Sequence, residues 1–199
     1  MKTTIKRVMR QEVAKGIPLV REDLQKRGFR ANTLSEMAAR GTIYRVGRGV
    51  YAPASGSASE FFDYELATKV VPRGVFTLVS ALRLHGLTDE NPQRMTMAIP
   101  STSHAPKTTL PVDFVYMTPA LLSVDVVERN PYGTAFYLFS VERTIVECFK
   151  ARNKIGLGIA VAAFKDAAAR NMIDYSMLWT IMGRCRMVKI ISPYLEAFA

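Results

Sequence analysis

Apolar and polar residues recur at helical spacing over the first forty residues of the chain. The spacing i, i+3, i+4 and i+8 predicts an N-terminal helix, whose apolar stripe is Ile5, Val8, Met9 and Val13. A second helix is predicted over residues 20–27, with Gly28 at its C-terminal end. A third is predicted over residues 32–40, with Gly41 as its stop.

A β-hairpin is predicted immediately after these helices. Strand-forming residues flank the tripeptide Gly47-Arg48-Gly49 on both sides, and they are Ile43, Tyr44, Val46, Val50 and Tyr51. A Gly-x-Gly turn between β-branched and aromatic residues is a hairpin signal. Three helices followed by a hairpin is the element order of a winged helix-turn-helix. In that fold the third helix enters the major groove of DNA, and the hairpin contacts the adjacent backbone.

The small, polar segment 54–59 predicts a linker between a domain over residues 1–53 and a second domain over residues 60–199. The elements predicted in the second domain are helices over 60–70 (capped by Ser59) and 77–84, strands over 94–99 and 112–117, a hairpin of 123–129 with 134–139, a helix capped by Ser140, and helices over about 157–170, 175–183 and 187–198. The predicted class is α+β: an N-terminal winged helix-turn-helix, then a mixed α/β C-terminal domain with a small sheet and a helical end.

Length and composition are those of a folded protein. The 199 residues are 49% hydrophobic and 22% charged, which suffices for one large core or two small ones. The longest nearly uncharged apolar run, residues 155–164, is ten residues long, whereas a membrane-spanning helix needs roughly 20. The first ten residues carry charges where a signal peptide has an apolar core. We therefore expect a cytoplasmic protein without membrane contact.

Positive charge is concentrated near the N-terminus. The chain has 27 Lys+Arg against 17 Asp+Glu, a net charge of +10, and residues 1–52 hold 12 of the basic and four of the acidic residues, which is +8. Clustered cations favour a polyanionic partner, because phosphates that they neutralise release counterions. The alternative is a solvated basic face that only aids solubility. Charge alone does not decide between the two.

Side chains that the predicted core leaves exposed are candidate contacts to double-stranded DNA. The N-terminal turn of the third helix is expected to reach base edges in the major groove. Arginines on the hairpin are expected to contact phosphates or the minor groove. The candidates are Arg21, Arg30, Asn32, Thr33, Ser35, Glu36, Arg40, Arg45 and Arg48.

Structural roles are open for part of this set. Thr33 and Glu36 have the spacing of a capping box, which would start the third helix one residue later and tie both residues to helix capping. Arg48 is alternatively an ordinary exposed turn residue, but its place at the tip of a basic hairpin favours phosphate contact.

Catalytic and metal-binding chemistry has little support in the sequence. The two histidines are isolated and the two cysteines lie 37 residues apart, so neither pair has metal-ligand spacing. No Gly-x-Ser-x-Gly elbow, dinucleotide loop or phosphate-binding loop occurs. We expect no metal, no cofactor and no catalytic residue. The segment most similar to an enzyme motif is Ser57 followed by Asp63 and Glu65, which faintly resembles the motif of nucleotidyltransferases. Acids at positions i and i+2 of a helix point to different faces, which argues against a shared metal site.

Two other groups of polar residues have structural interpretations. His85 is expected to be a structural residue at a helix end rather than a base. Arg143 and Glu147 are four residues apart on a predicted helix and can form an ion pair on one face. The alternative is an exposed patch, with Lys154, for a protein partner.

Three segments resemble, in order, landmarks of the AbiE-type (AbiEi, abortive-infection) antitoxins. They are Arg-Gly-Thr-Ile-Tyr-Arg-Val-Gly-Arg-Gly-Val-Tyr at residues 40–51, Ser-Ala-Leu-Arg-Leu-His-Gly-Leu at residues 80–87 followed by the strand at 95–100, and Phe-Ser-Val-Glu-Arg-Thr-Ile-Val-Glu at residues 139–147 followed by Lys-Ile-Gly at 154–156. Together they span most of the chain.

The resemblance implies a winged helix that represses the protein's own operon, with inverted repeats in the promoter as its expected target. It also implies a C-terminal domain that neutralises a nucleotidyltransferase-like toxin, in a type IV system of phage defence where antitoxin and toxin need not form a stable complex. It supports DNA contacts by Arg45, Arg48 and the recognition-helix candidates, and it assigns no antitoxicity residue. Two other functions stay open: a stand-alone regulator whose C-terminal domain senses a ligand or dimerises, and a nucleotide-using enzyme that the winged helix targets.

Overall fold

The computed structural model describes residues 11, 13–14, 16–55, 60–130 and 135–198. Over these residues the chain is α+β, as predicted, and its contacts divide it into two compact units. Unit 1 comprises the described residues up to Arg73 together with His104–Leu110. Unit 2 comprises Gly74–Ser103 and the described residues from Pro111 onward. No helix in the described ranges is long and apolar enough to cross a membrane.

Unit 1 combines a small antiparallel sheet with short helices. Its elements are β1 (Leu19–Val20), α1 (Arg21–Lys26), α2 (Ala31–Ala39), β2 (Ile43–Gly47), β3 (Val50–Pro53) and α3 (Phe62–Val70). The strand order is β1-β3-β2, so the long hairpin β2–β3 is extended by the short strand β1. The predicted hairpin and the predicted second and third helices are confirmed, with shifts of at most a few residues.

The β2–β3 hairpin has an apolar cluster on each of its faces. Successive side chains of a strand point to opposite sides, and β3 follows this rule closely. Tyr51 packs with Ile43 and with the apolar residues of α1 and α2. Its neighbours Val50 and Ala52 pack instead in a second cluster, which contains Leu66 of α3. The hairpin is therefore buried from both sides.

The N-terminus of α2 differs from the capping-box prediction, which is wrong. The helix begins at Ala31, before the start that a capping box would give, and its N-cap is Arg30, which has an extended backbone and no side-chain capping bond. The Thr33 amide donates to the Arg30 carbonyl at 3.0 Å. Since backbone geometry already starts the helix, the Thr33 and Glu36 side chains are not needed as caps.

The first predicted helix and the predicted linker lie partly outside the described residues. Within the first helix, Val13 is helical and packs in the same cluster as Tyr51. Of the linker, residues 56–59 are not described, and this includes the predicted cap Ser59.

The limit of unit 1 falls elsewhere than the predicted boundary at residues 54–59. Contacts of unit 1 continue through α3, because Leu66 is fully buried in the second hairpin cluster. They also include residues 104–110, whose Leu110 packs against the same cluster. Unit 1 is therefore assembled from two separate stretches of the chain.

Unit 2 is a five-stranded mixed sheet with a helical C-terminal half. Its elements are β4 (Val75–Phe76), α4 (Leu78–His85), β5 (Met95–Pro100), β6 (Val112–Met117), α5 (Pro119–Leu122), β7 (Val126–Arg129), β8 (Phe136–Phe139), α6 (Val141–Lys150), α7 (Arg152–Ile155), α8 (Leu157–Ala169), α9 (Tyr175–Arg184) and α10 (Val188–Phe198). The strand order is β6-β5-β4-β8-β7, with β5–β6 and β4–β8 parallel. The predicted hairpin is confirmed as β7–β8, and its turn at 131–134 lies outside the described residues.

Helix α6 forms the centre of unit 2. Ser140 caps it as predicted, accepting a hydrogen bond from the Arg143 amide at 3.2 Å. On the apolar side, Ile145 and Phe149 are fully buried, and the Phe149 ring meets Phe164 of α8 edge to face at 6.2 Å between centroids. The helix is therefore enclosed along almost its whole length.

A buried ion-pair cluster lies on the other side of α6. Arg143 has a side chain only 2% exposed, and its Nη2 lies 2.6 Å from Glu147 Oε1. Its guanidinium also lies 3.9 Å from Asp125 Oδ2 and 5.2 Å above the Phe139 ring. The predicted Arg143–Glu147 pair is confirmed. The alternative of an exposed protein-binding patch with Lys154 is wrong, because both members of the pair are buried.

Arg143→Ala is expected to lower the free energy of unfolding by about 3–5 kcal/mol, since it removes the buried cation that Glu147 contacts at 2.6 Å. Among the described residues, Glu147 then keeps only Lys150 at 3.9 Å, and Asp125 keeps Arg184. Urea unfolding measures the decrease. Lys150→Ala is the matched control on the same helix: the Lys150 Nζ lies 3.9 Å from Glu147 Oε2, but its side chain is 57% exposed, so its removal is expected to cost less than about 1 kcal/mol. Equal effects of the two substitutions would contradict the assignment.

Candidate nucleic-acid interface

Helix α2 presents a polar face to solvent. Leu34 is buried on one side of the helix, and Met37 and Ala38 pack against the same cluster. The opposite stripe has helical spacing and is exposed, and it consists of Asn32, Ser35, Glu36 and Ala39. The candidate Thr33 is half-buried at the edge of this stripe. The exposed polar side chains are thus available for recognition without disturbing the core.

The two arginines that flank α2 lie at its opposite ends. Arg30 is the N-cap and Arg40 the C-cap of this nine-residue helix, and both are exposed. A helix of that length rises about 13 Å. Arg30 therefore lies at the Asn32 end of the helix and Arg40 at the Ala39 end, with Ser35 midway between them.

The hairpin tip exposes Arg48. The turn Arg48-Gly49 joins β2 to β3, and Gly49 has φ +73°, a left-handed conformation that glycine adopts without a Cβ penalty. The backbone amide of Arg21, the first residue of α1, donates to the Gly49 carbonyl at 2.7 Å. The turn is therefore attached to α1, and the backbone of Arg48 is held in a fixed position.

Arg45 and Arg21 are restrained by hydrogen bonds within unit 1. Arg45 is exposed, and its Nε donates to the Gly47 carbonyl at 3.0 Å. Arg21 is half-buried, and its Nη2 donates to the Tyr51 hydroxyl at 3.1 Å. Arg21 accordingly supports the hairpin, whereas Arg45 keeps an exposed guanidinium near the hairpin tip.

The three hairpin-side candidates line one open groove of about 1320 Å³. Arg21, Arg45 and Arg48 belong to its wall, and the α2 candidates do not. Lys69 of α3 and Lys107 of the 104–110 segment also line it. Sequence reasoning missed these two lysines, because they lie 21 and 59 residues after Arg48 and no local pattern links them to the hairpin.

Most of the excess positive charge of the protein belongs to unit 1. Residues 1–73 and 104–110 carry 15 Lys+Arg against seven Asp+Glu, a net charge of +8. The remaining residues carry 12 Lys+Arg against 10 Asp+Glu, a net charge of +2. The unit with the exposed polar helix face and the arginine-tipped hairpin is therefore also the cationic one.

Metal-ligating side chains do not form a cluster in the described part of the chain. Groups of three or more His, Cys, Asp or Glu that could hold a metal ion are absent from this part of the chain. Asp63 is exposed and Glu65 is buried, so the two acids lie on different faces of α3 as predicted. Ser57 lies outside the described residues.

Both cysteine thiols have a raised pKa. Burial raises the pKa of the Cys148 thiol strongly, and the neighbouring Glu147 carboxylate raises it further. Burial also raises the pKa of Cys185. Since the thiolate is the reactive form, neither residue has the environment of a catalytic cysteine.

His85 is a structural residue at the end of α4, as predicted. It is buried, and its Nε2–H donates to the Phe139 carbonyl at 2.7 Å. Its Nδ1 is buried without a hydrogen-bond partner among the described residues. Burial lowers the pKa of His85 below its ordinary value, and the bond to Phe139 only partly opposes this shift. The neutral imidazole therefore fits the site better than the imidazolium.

Comparison with known proteins returned no match: no family model and no curated protein matches the chain. The resemblance of the three sequence segments to AbiE-type antitoxins stays a prediction.

We expect the stability of the protein to fall as the pH drops below about 6.5, the ordinary pKa of histidine. Below that value the unfolded chain binds a proton at His85 that the folded state resists, with a slope of up to about 1.4 kcal/mol per pH unit. His85→Gln, which keeps a donor for Phe139, is expected to flatten this dependence in urea unfolding between pH 7.5 and 5.5. The exposed His104→Gln is the control, and a variant at position 85 that keeps the full wild-type slope would contradict the assignment.

Proposed function

We propose that unit 1 is a winged helix-turn-helix that binds double-stranded DNA, with α2 as the recognition helix and the β2–β3 hairpin as the wing. The order α1, α2, β2, β3 and the sheet order β1-β3-β2 support this assignment. The polar face of α2 is exposed, as a helix that enters the major groove requires. The hairpin carries its arginines at and near the tip, where a wing meets the DNA backbone.

The observation that carries the proposal is the set of exposed arginines on this cationic unit. No carboxylate of the described chain lies within ion-pairing distance of Arg30, Arg40 or Arg48. Their charge is therefore available to phosphates, and each phosphate neutralised releases counterions. The alternative, a basic face that only aids solubility, would account for the charge. It would not account for an exposed polar helix face on the same unit as a basic hairpin.

Different candidates take different parts of the DNA in this proposal. Asn32 and Ser35, on the first turns of α2, read base edges, and an Asn side chain can pair with both edge atoms of adenine. Arg30 and Arg40, at the two ends of the helix, contact backbone phosphates. Arg45 and Arg48 contact phosphates or the minor groove beside the recognition helix.

We further propose that the protein represses its own operon and is the antitoxin of a nucleotidyltransferase-like toxin. The three ordered landmarks support this assignment. In unit 2 the second and third landmarks are joined by the bond from His85 to the Phe139 carbonyl, and within the second landmark Ser80 Oγ accepts from the Thr96 amide at 2.8 Å. These buried contacts stabilise the fold of unit 2, and the proposal assigns antitoxicity to exposed residues of that unit.

Replacing Arg45 and Arg48 together by Ala is expected to weaken binding to a duplex from the gene's own upstream region. The log–log salt slope is expected to decrease by about 0.9 for each phosphate that the variant no longer neutralises. Fluorescence titration of the full chain at several salt concentrations, with a scrambled duplex for comparison, measures both quantities.

The matched control for this double substitution is Lys154→Ala with Lys165→Ala. It removes the same charge from two exposed positions of unit 2. Thermal unfolding of each variant shows whether removal of the Arg45–Gly47 bond has altered the fold. Binding that is equal in wild type and in the folded arginine variant would refute the wing assignment.

Expression of the neighbouring gene alone is expected to stop growth, and co-expression of this protein from an unrelated promoter is expected to restore it. The arginine double variant is expected to restore growth as well, because the proposed antitoxin activity belongs to unit 2 and not to DNA binding. Colony counts measure rescue. A neighbouring gene that is harmless by itself would favour a stand-alone regulator instead.

A further inference from the structure

The 104–110 segment is attached to the edge of the hairpin by a set of hydrogen bonds. The Val46 carbonyl accepts from the Thr108 hydroxyl at 2.7 Å and from the Thr109 amide at 3.0 Å. Thr108 also forms an antiparallel bridge with Gly47. Because Leu110 packs in the cluster beneath, this segment holds the adjacent, exposed Lys107 beside β2.

Helix α3 approaches the same strand at the same place. A Cβ built on Gly47 would lie 2.8 Å from Cγ2 of Val70, a distance that real Cβ atoms do not tolerate. The absence of a side chain at Gly47 therefore lets α3 lie directly against the hairpin. Lys69, the residue before Val70, is exposed and belongs to the groove wall.

The groove is strongly cationic. Its wall contains Arg21, Arg45, Arg48, Lys69 and Lys107, and Glu22 is the one acid in the described wall. Glu22 already lies 3.6 Å from Lys26 on α1. No carboxylate of the described chain lies within ion-pairing distance of either groove lysine, so the groove has a surplus of cations to offer an anionic ligand.

We propose that Lys69 and Lys107 bind backbone phosphates of the same DNA duplex, as an extension of the wing. This inference rests on the proposed function. Arg48 lies both at the hairpin tip and in the groove wall, so a backbone that follows the wing continues past the two lysines. A lysine side chain meets a phosphate as a point charge and does not read base edges. The groove therefore adds affinity without adding sequence preference.

Replacing Lys69 and Lys107 together by Gln is expected to reduce the log–log salt slope of the full chain by about 1.8, which is 0.9 for each phosphate. The affinity is expected to fall by the same factor for the promoter duplex and for a scrambled duplex of equal length. Lys107→Gln alone is expected to reduce the slope by about half as much. The charge-preserving pair Lys69→Arg with Lys107→Arg is expected to keep the wild-type slope.

The control pair Lys154→Gln with Lys165→Gln removes equal charge from unit 2 and is expected to leave the slope unchanged. An unchanged slope in the Lys69/Lys107 variant, in a protein whose Arg45/Arg48 variant does show a reduced slope, would overturn this inference and leave the proposed function intact. A reduced slope on single-stranded DNA but not on the duplex would overturn it as well. If the wild type shows neither preference for its promoter nor a salt slope, the proposed function itself fails.

Discussion

Burial of the β2–β3 hairpin on both faces is the constraint around which unit 1 is built. An isolated two-stranded hairpin is at best marginally stable in water. Here α1 and α2 cover one face through Ile43 and Tyr51, and α3 covers the other through Val46, Val50 and Ala52. The edge strand β2 is also paired with the 104–110 segment, which removes an exposed edge that would otherwise be open to other strands. A hairpin held in this way keeps its arginines at fixed positions.

Local signals in the sequence were sufficient for most of the elements. Apolar spacing and glycine stops define α1 and α2, and the Gly-Arg-Gly turn defines the hairpin, because each depends on residues close together in the chain. The prediction of a capping box was wrong for an equally local reason. The extended Arg30 starts the helix through its backbone carbonyl, and the Thr33 side chain makes no capping bond. Helix starts of this kind have no side-chain signature.

The candidate site could be predicted only in part. The apolar residues near Arg30, Arg45 and Arg48 form the core and leave these three arginines exposed. The sequence was therefore sufficient to predict their exposure. The role of Arg21 depends on a distant partner, Tyr51, and no local pattern indicates it. For Arg143 the local spacing indicates Glu147 but not the distant Asp125. Lys107 reaches the hairpin only through the bonds of Thr108 and Thr109 to Val46. Long-range contacts of this type need the folded chain.

The discontinuity of unit 1 has a consequence for how such a protein can evolve. The chain passes between the two units three times, after Arg73, Ser103 and Leu110. A single recombination event that joined this N-terminal region to a foreign C-terminal half would leave the Val46 carbonyl without Thr108 and the hairpin edge uncovered. Exchange of unit 1 between lineages therefore requires inheritance of a seven-residue segment encoded within the part of the chain that forms unit 2, so the two units are expected to diverge together.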